Sequence, residues 1–273
     1  MRTIVQISDI HFGKINAPSV DSLVSVFETI KPDLIIISGD LTQRARVKEF
    51  KSAQTLLFKL KEAKFLYLVI PGNHDIMPLY APISRITDPY SRYKKYISDV
   101  IEPTYSDNEI AVASINTVRS SRIMGGALSA EQIARAEKWL SQFPRKIVKL
   151  VVTHHPLDLP IEKPRRKLAG EAERGVTELS KQNVDMYLSG HYHRSSVTRT
   201  EARYDIGGYA ALAVQAGTLS KRQRGEAESF NVLRVNNPVA HVETYVWSRS
   251  KKCFEKRVET TYKRKREVWR IYN

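Results

Sequence analysis

Six short apolar runs rich in β-branched residues, at 3–8, 34–38, 65–70, 110–115, 150–153 and 186–189, are separated by stretches with helical periodicity. Runs of that kind alternating with helices restrict the chain to an α/β fold. Helices are predicted over 19–30, 45–61, 89–101, 129–143 and 171–181. Ser129 followed by Gln132 has the form of an N-cap and its box partner. Three further runs, 212–216, 230–235 and 239–247, follow one another directly, as antiparallel strands do. No internal repeat, low-complexity linker or boundary interrupts the chain. Residues 1–273 therefore read as a single domain, with a basic C-terminal strand and tail from about 248.

The residues that follow the runs point to chemistry. Asp9-Ile10-His11 follows the first, Gly39-Asp40 the second and Asn73-His74-Asp75 the third; His154-His155 and Gly190-His191-Tyr192-His193 follow two later ones. Open α/β sheets place their sites past the carboxyl ends of strands. Loops are polar anyway, which explains any one segment. Yet six of the seven histidines lie in these segments, and only His241 lies outside. Chance would scatter histidine through helices and termini as well. His191 and His193, two apart on extended backbone, point the same way, and imidazoles aimed at one spot suit a metal ion.

Carboxylate, imidazole and one amide, without thiolate, suit a pair of divalent ions: Mn²⁺, Fe or Zn²⁺ rather than Ca²⁺ or a structural zinc. Cys253 stands alone, so no disulfide framework or thiolate cluster is expected. Asp40 on its Gly39 turn is the natural bridge between two ions, and Asn73 adds an oxygen ligand without charge. Gly39, Gly72 and Gly190 let the backbone turn closely beneath the metals.

The ordered set D-x-H, G-D, G-N-H-D, H and G-H-x-H, from Asp9 to His193, resembles the calcineurin-like metallophosphoesterase superfamily. Within it, GNHD, THHP, GHYH and the stretch QAGTLSKRQRGEAESFNVLRV are similar to the bacterial cyclic-nucleotide phosphodiesterase-like group. The resemblance implies a two-sheet α/β sandwich flanked by helices. It implies Asp9, His11, Asp40 and His193 on one ion, and Asp40, Asn73, His154 and His191 on the other. His154 is taken over His155 because the family uses the first histidine after the strand.

The activity implied is a two-metal phosphoester hydrolase, a phosphodiesterase or related enzyme, with a metal-bridging hydroxide as nucleophile. His74 would stabilise phosphoryl oxygens or protonate the leaving group, with Asp75 orienting it. His155 is open to three roles: a support behind the ligands, a substrate contact, or a solvated residue. Arg165 and Arg166, with Lys163 and Lys167 in the insertion 157–174, are candidate contacts to a second phosphate or headgroup. The hydrolases that cleave UDP-diacylglucosamine at the membrane surface are an alternative relative, although their commonest form carries arginine at the place of His74. A non-catalytic anion-binding protein is expected to lack His74 or Asp40, and both are present.

The formal charge of +15 implies anionic partners, and residues 249–270 hold ten Lys or Arg against three Glu. A phosphorylated small-molecule or nucleotide substrate fits. So does an anionic membrane face, met by the cations 263–266 and the following Val268, Trp269, Ile271 and Tyr272. Nucleic acid fits less well. Lysines that protect an edge strand, or a solvated tail, explain the same charges. Phe254, Val258, Thr260 and Tyr262 keep a two-residue period, which predicts a strand paired with 239–247 before the run 263–266. The start of the chain lacks the pattern of a signal peptide and no run nears the roughly 20 apolar residues of a membrane span, so a cytoplasmic location is expected.

Overall fold

The computed structural model describes residues 1–78, 80–122, 125–162 and 167–272. In chain order its strands are β1 (Arg2–Ile7), β2 (Leu34–Ile37), β3 (Tyr67–Val69), β4 (Thr104–Ser106), β5 (Ile110–Ser114), β6 (Val148–Val152), β7 (Met186–Ser189), β8 (Ser196–Arg199), β9 (Tyr209–Ala210), β10 (Leu212–Gln215), β11 (Ser229–Asn236), β12 (Val239–Ser248), β13 (Cys253–Lys265) and β14 (Glu267–Ile271). They form two sheets, ordered β3-β2-β1-β11-β12-β13-β14-β9 and β4-β5-β6-β7-β10-β8. β1, β2 and β3 are parallel, as are β5, β6, β7 and β10; β11 runs antiparallel to β1, β11 to β14 pair antiparallel in turn, and β14 pairs parallel with β9.

The sheets pack face to face, with helices over both outer faces, so every central strand is buried on two sides. That is why β2 reads as an unbroken apolar run and not as an alternation. Its Leu34 and Ile36 face the second sheet, meeting the layer of Val112, Leu150 and Leu188, while Ile35 and Ile37 face outward. The outer face of the first sheet is covered by α2 (Leu23–Ile30), entered through α1 (Ala17–Asp21), and by α3 (Val47–Glu62), through Phe27, Phe50 and Leu60. α4 (Pro82–Thr87) and α5 (Ser91–Tyr96) follow, and Tyr93 of α5 joins the same layer. α6 (Ala130–Leu140) and α7 (Ala172–Ser180) cover the second sheet through Ile133, Leu140, Val176 and Leu179. The Ser129 box forms: its hydroxyl accepts from Gln132 N–H at 3.3 Å while Gln132 Oε1 accepts from Ser129 N–H at 3.0 Å.

Some expectations are corrected. Of the helix expected over 89–101 only α5 forms; Pro89, with no N–H to donate, holds Asp88 out of helical geometry at φ −148° and separates α5 from α4, which was not expected. The single helix over 19–30 is broken at Ser22, whose hydroxyl bonds back to the Ser19 carbonyl at 2.9 Å. The predicted strand at the C-terminus does pair with β12, but it runs on through Lys265. Arg266 then turns at φ +57° and β14 folds back along it. Trp269, offered to a membrane face by the sequence reading, is 1% exposed in the core between the sheets. Among the described residues no helix is long and apolar enough to cross a membrane.

Candidate metal centre

The five polar segments rise from both sheets rather than from one. Asp9 and His11 follow β1, Asp40 follows β2 and Asn73 to Asp75 follow β3; His154 follows β6, and His191 and His193 follow β7. They meet because the parallel strands of both sheets end at the same edge of the sandwich. The backbone there is strained. Asp9, His11, Asp40, His191 and His193 have φ of +52°, +50°, +55°, +77° and +60°, a left-handed region that non-glycine residues seldom enter. Strain of this kind, concentrated in one place, marks a functional site.

Three of the rings are locked by backbone carbonyls. Nδ1 of His11 donates to Thr42 O at 3.2 Å, that of His154 to Ser38 O at 2.9 Å, and that of His193 to Arg222 O at 2.7 Å. A carbonyl can only accept, so Nδ1 carries the hydrogen and Nε2 turns inward, the usual second-shell arrangement of metal-ligating histidine. His11 Nε2 then lies 3.1 Å from His193 Nε2. Asp40 Oδ2 stands 3.6 Å from His11 Nε2 and 3.4 Å from His154 Nε2, between the two sides of the site. Asn73 Oδ1 lies 3.2 Å from His154 Nε2 and 3.1 Å from His191 Nδ1.

Asp9 completes the arrangement. Its Oδ2 accepts from Ser8 Oγ at 2.6 Å and His191 N–H at 2.8 Å, whereas its buried Oδ1 faces His193 Nε2 at 3.1 Å without a satisfactory hydrogen bond. Inward Nε2 atoms and an unsatisfied carboxylate oxygen are what divalent ions require. The donor set Asp9, His11, Asp40, Asn73, His154, His191 and His193 fits them. Within it Asp9, His11 and His193, and likewise Asp9, Asp40 and His154, bring ligand atoms within 4.8 Å of one another.

Burial opposes charge on His154, but the carboxylates of Asp40 and Asp9 outweigh it and lift its pKa to about 9. Burial likewise opposes, and Asp9 outweighs, on His193, which is raised. Burial lowers His11, and burial with the neighbouring His154 lowers His191 to about 3. Against their own burial, Asp9 and Asp40 are held well below the usual carboxylate range by these rings.

His74 and Asp75 part company. His74 Nδ1 donates to Gln43 O at 2.7 Å, and its Nε2 accepts from Arg222 Nη1 at 3.0 Å. Asp75 does not orient that ring. Buried, it accepts from the N–H groups of Leu41, Thr42 and Gly72 and from the Thr42 hydroxyl at 2.8–3.0 Å, so it clamps the Asp40 turn to the Asn73 turn. Burial and the charge of Asp40 push its pKa to about 6. A carboxylate beside two backbone turns is saturated by their N–H groups before it can reach an imidazole. His155 is not solvated: 2% exposed, it bonds Thr117 Oγ1 through Nδ1 at 2.8 Å and packs on His191, ring centroids 4.5 Å apart. Arg165 and Arg166, like Lys163, lie outside the described residues.

Arg222 was not foreseen. Besides His74 it approaches His11 Nε2 at 3.4 Å. Its loop is pinned to the site: Thr218 Oγ1 donates to Asp9 O at 2.7 Å and Ser220 Oγ accepts from Arg222 N–H at 3.1 Å. The signal was present in AGTLSKR, but no spacing rule connects Arg222 with a histidine some 150 residues earlier.

Residues 2–195 match the calcineurin-like phosphoesterase family. The chain belongs to that family. It is 32% identical over 212 residues to a protein of Arcobacter nitrofigilis named as a probable glycerophosphodiester phosphodiesterase, across 71% of this chain and 73% of that one. It is 25% identical over 162 residues to a probable cyclic nucleotide phosphodiesterase of Ruthia magnifica, across 57% of this chain and 62% of the other. In fold it is similar to a dimetal phosphatase from Danio rerio, with TM-score 0.65 at 12% identity, covering 89% of this chain and 95% of that one. It is also similar to a purple acid phosphatase of yellow lupin, with TM-score 0.70 at 12% identity, covering 95% and 53%. The calcineurin-like phosphoesterase fold implies a dimetal centre, and the Asp and His cluster supplies candidate ligands for it.

Proposed function

We propose that this calcineurin-like phosphoesterase hydrolyses phosphodiesters at two divalent ions bridged by Asp40. The observation that carries the reading is the convergence of carbonyl-locked histidine Nε2 atoms on Asp40 Oδ2 and the unsatisfied Asp9 Oδ1. Such ions supply Lewis acidity toward phosphoryl oxygens and lower the pKa of the attacking water. The chain's own residues do the rest. Asp75 fixes the two turns that carry Asp40 and Asn73, and Arg222 and His74 present N–H and imidazole groups where a phosphoryl oxygen or leaving group would stand.

As held here, His74 Nε2 accepts from Arg222 and has no proton to give. We infer that the guanidinium moves onto the phosphoryl oxygens when substrate enters, which frees His74 Nε2 to take up a proton from solvent and pass it to the leaving group. The names of the relatives favour a diester over a monoester, and the charge of +15 suits an anionic substrate.

The test is hydrolysis of bis(4-nitrophenyl) phosphate, 4-nitrophenyl phosphate, a glycerophosphodiester and a cyclic nucleotide by Mn²⁺-loaded and chelator-treated protein. Asp40→Asn is expected to abolish turnover and lower bound metal, since a neutral amide cannot hold two cations together. The exposed Asp205→Asn is expected to do neither. Normal metal content and full turnover in Asp40→Asn would sink the two-metal assignment.

A further inference from the structure

Resting on that reading, we propose that the cavity beside Tyr192 is a subsite for a second anionic group, a phosphate or carboxylate, carried on an ester arm of the substrate. The cavity, of about 330 Å³, is bounded by Tyr192, Lys167, Arg194, Arg224, Gln215 and Glu226. Tyr192 links it to the metal centre. Tyr192 sits in the chain between the ligands His191 and His193, and its ring centroid is 4.8 Å from that of His191. An arm extended from the centre past His191 and Tyr192 would enter this cavity.

The charge in the cavity is one-sided. Three cations face one acid, and the acid is already engaged: Glu226 Oε2 accepts from Ser195 N–H at 2.9 Å, while Oε1 lies 3.7 Å from Arg194 Nε. Neither Lys167 nor Arg224 has a carboxylate partner among the described residues. Lys167 Nζ lies 5.8 Å over the Tyr192 ring, and the Tyr192 hydroxyl donates to Lys167 O at 2.7 Å, which fixes ring and lysine as one unit. Gln215, 4% exposed, forms a polar floor, its Nε2 donating to Gly190 O at 3.1 Å. Cations at the wall of a small concave site, over a polar floor, concentrate and orient an anion. Guanidinium and ammonium donors to a carboxylate or phosphate make the stronger class of hydrogen bond.

The test uses 4-nitrophenyl diesters whose second arm ends in methyl, carboxylate, phosphate or trimethylammonium. The leaving group is then constant and only the arm varies. The two anionic arms are expected to raise kcat/KM about tenfold over methyl, and the cationic arm to lower it. Lys167→Gln with Arg224→Gln is expected to bring the anionic arms down to the methyl value without changing methyl-arm hydrolysis or metal content. A larger gain for phosphate than for carboxylate identifies the phosphate-bearing substrate, and the reverse identifies the carboxylate. Calorimetric binding of the matching non-hydrolysable phosphonates reads the subsite without turnover. Preference for anionic arms in binding, with no diester cleaved, would keep the subsite and remove the phosphodiesterase reading. Cleavage of all arms alike, or a preference that survives the double variant, would overturn the subsite and leave that reading standing.

Discussion

In the metal-free protein His154 is the cation that balances Asp40 and Asp9, and its pKa near 9 against an ordinary 6.5 has two consequences. A ligand must give up its proton, so metal affinity should climb through neutral pH and flatten near pH 9, by about tenfold per pH unit from this one group. The raised pKa also stabilises the metal-free fold. That stabilisation, about 3 kcal/mol, is fully present below pH 6.5 and is lost as pH rises toward 9. The melting temperature of chelator-treated protein should therefore fall across that window, while the Mn²⁺-loaded protein stays flat. Metal affinity unchanged between pH 6.5 and 9 would remove His154 from the ligands. His74 and Arg222 separate by leaving group. His74→Ala should lower kcat by about 10²–10⁴-fold, less for nitrophenyl than for alkyl esters, as for a lost general acid. Arg222→Gln should cost about 10–100-fold in kcat/KM equally across leaving groups, with both ions retained, as for a lost charge-assisted contact. Equal losses for His74→Ala across leaving groups would assign it to charge stabilisation instead.

At the scale of elements, strand ends were legible because the chemistry sits on them. Asp, His and Asn fall just past five apolar runs, and each run's length and β-branching placed it in a sheet. The glycines beneath the site were legible for the same reason. A Cβ on Gly72 would stand 2.1 Å from Asp40 Oδ1, and one on Gly190 would stand 1.9 Å from Ser8 Oγ. What the sequence concealed lies in pairings between distant segments. The strands β4, β8 and β9 are three, four and two residues long and carry no apolar run, so only their neighbours make them strands. Asp75 follows His74 in sequence, yet its oxygens are claimed by the turns at Leu41, Thr42 and Gly72. Arg222 reaches His74 only because Thr218 and Ser220 tie their loop to Asp9, a contact across some 200 residues of chain. The five left-handed ligand conformations were also invisible, since Asp and His enter that region only when the surrounding packing forces them to.

Across the whole molecule, the basic C-terminus is a structural part of the sandwich through one buried acid. Asp185, 1% exposed, accepts from Arg264 Nη1 at 2.6 Å, Trp269 Nε1 at 2.9 Å and Arg145 Nη1 at 3.2 Å through Oδ1, and from Lys149 N–H at 2.9 Å through Oδ2. It thereby joins β6 and β7 of one sheet to β13 and β14 of the other. Lys263, Lys265 and Arg266 stay exposed beside it, so the charge of the run is divided between latch and surface. Asp185 stands at the amino end of β7, whereas His191 and His193 follow its carboxyl end. The strand between them, Met186–Ser189, spans about 13 Å at 3.3 Å per residue. Stability and chemistry should therefore come apart at this residue. Asp185→Ala removes an acceptor from two guanidiniums, an indole N–H and the Lys149 N–H, a loss on the order of 3–5 kcal/mol for a broken buried pair. For a domain of this size that corresponds to a fall in Tm on the order of 10 °C. Well below the new Tm, metal content and kcat should match those of the unaltered protein. A variant that melts normally but turns over slowly would show instead that the latch reaches the metal centre through β7.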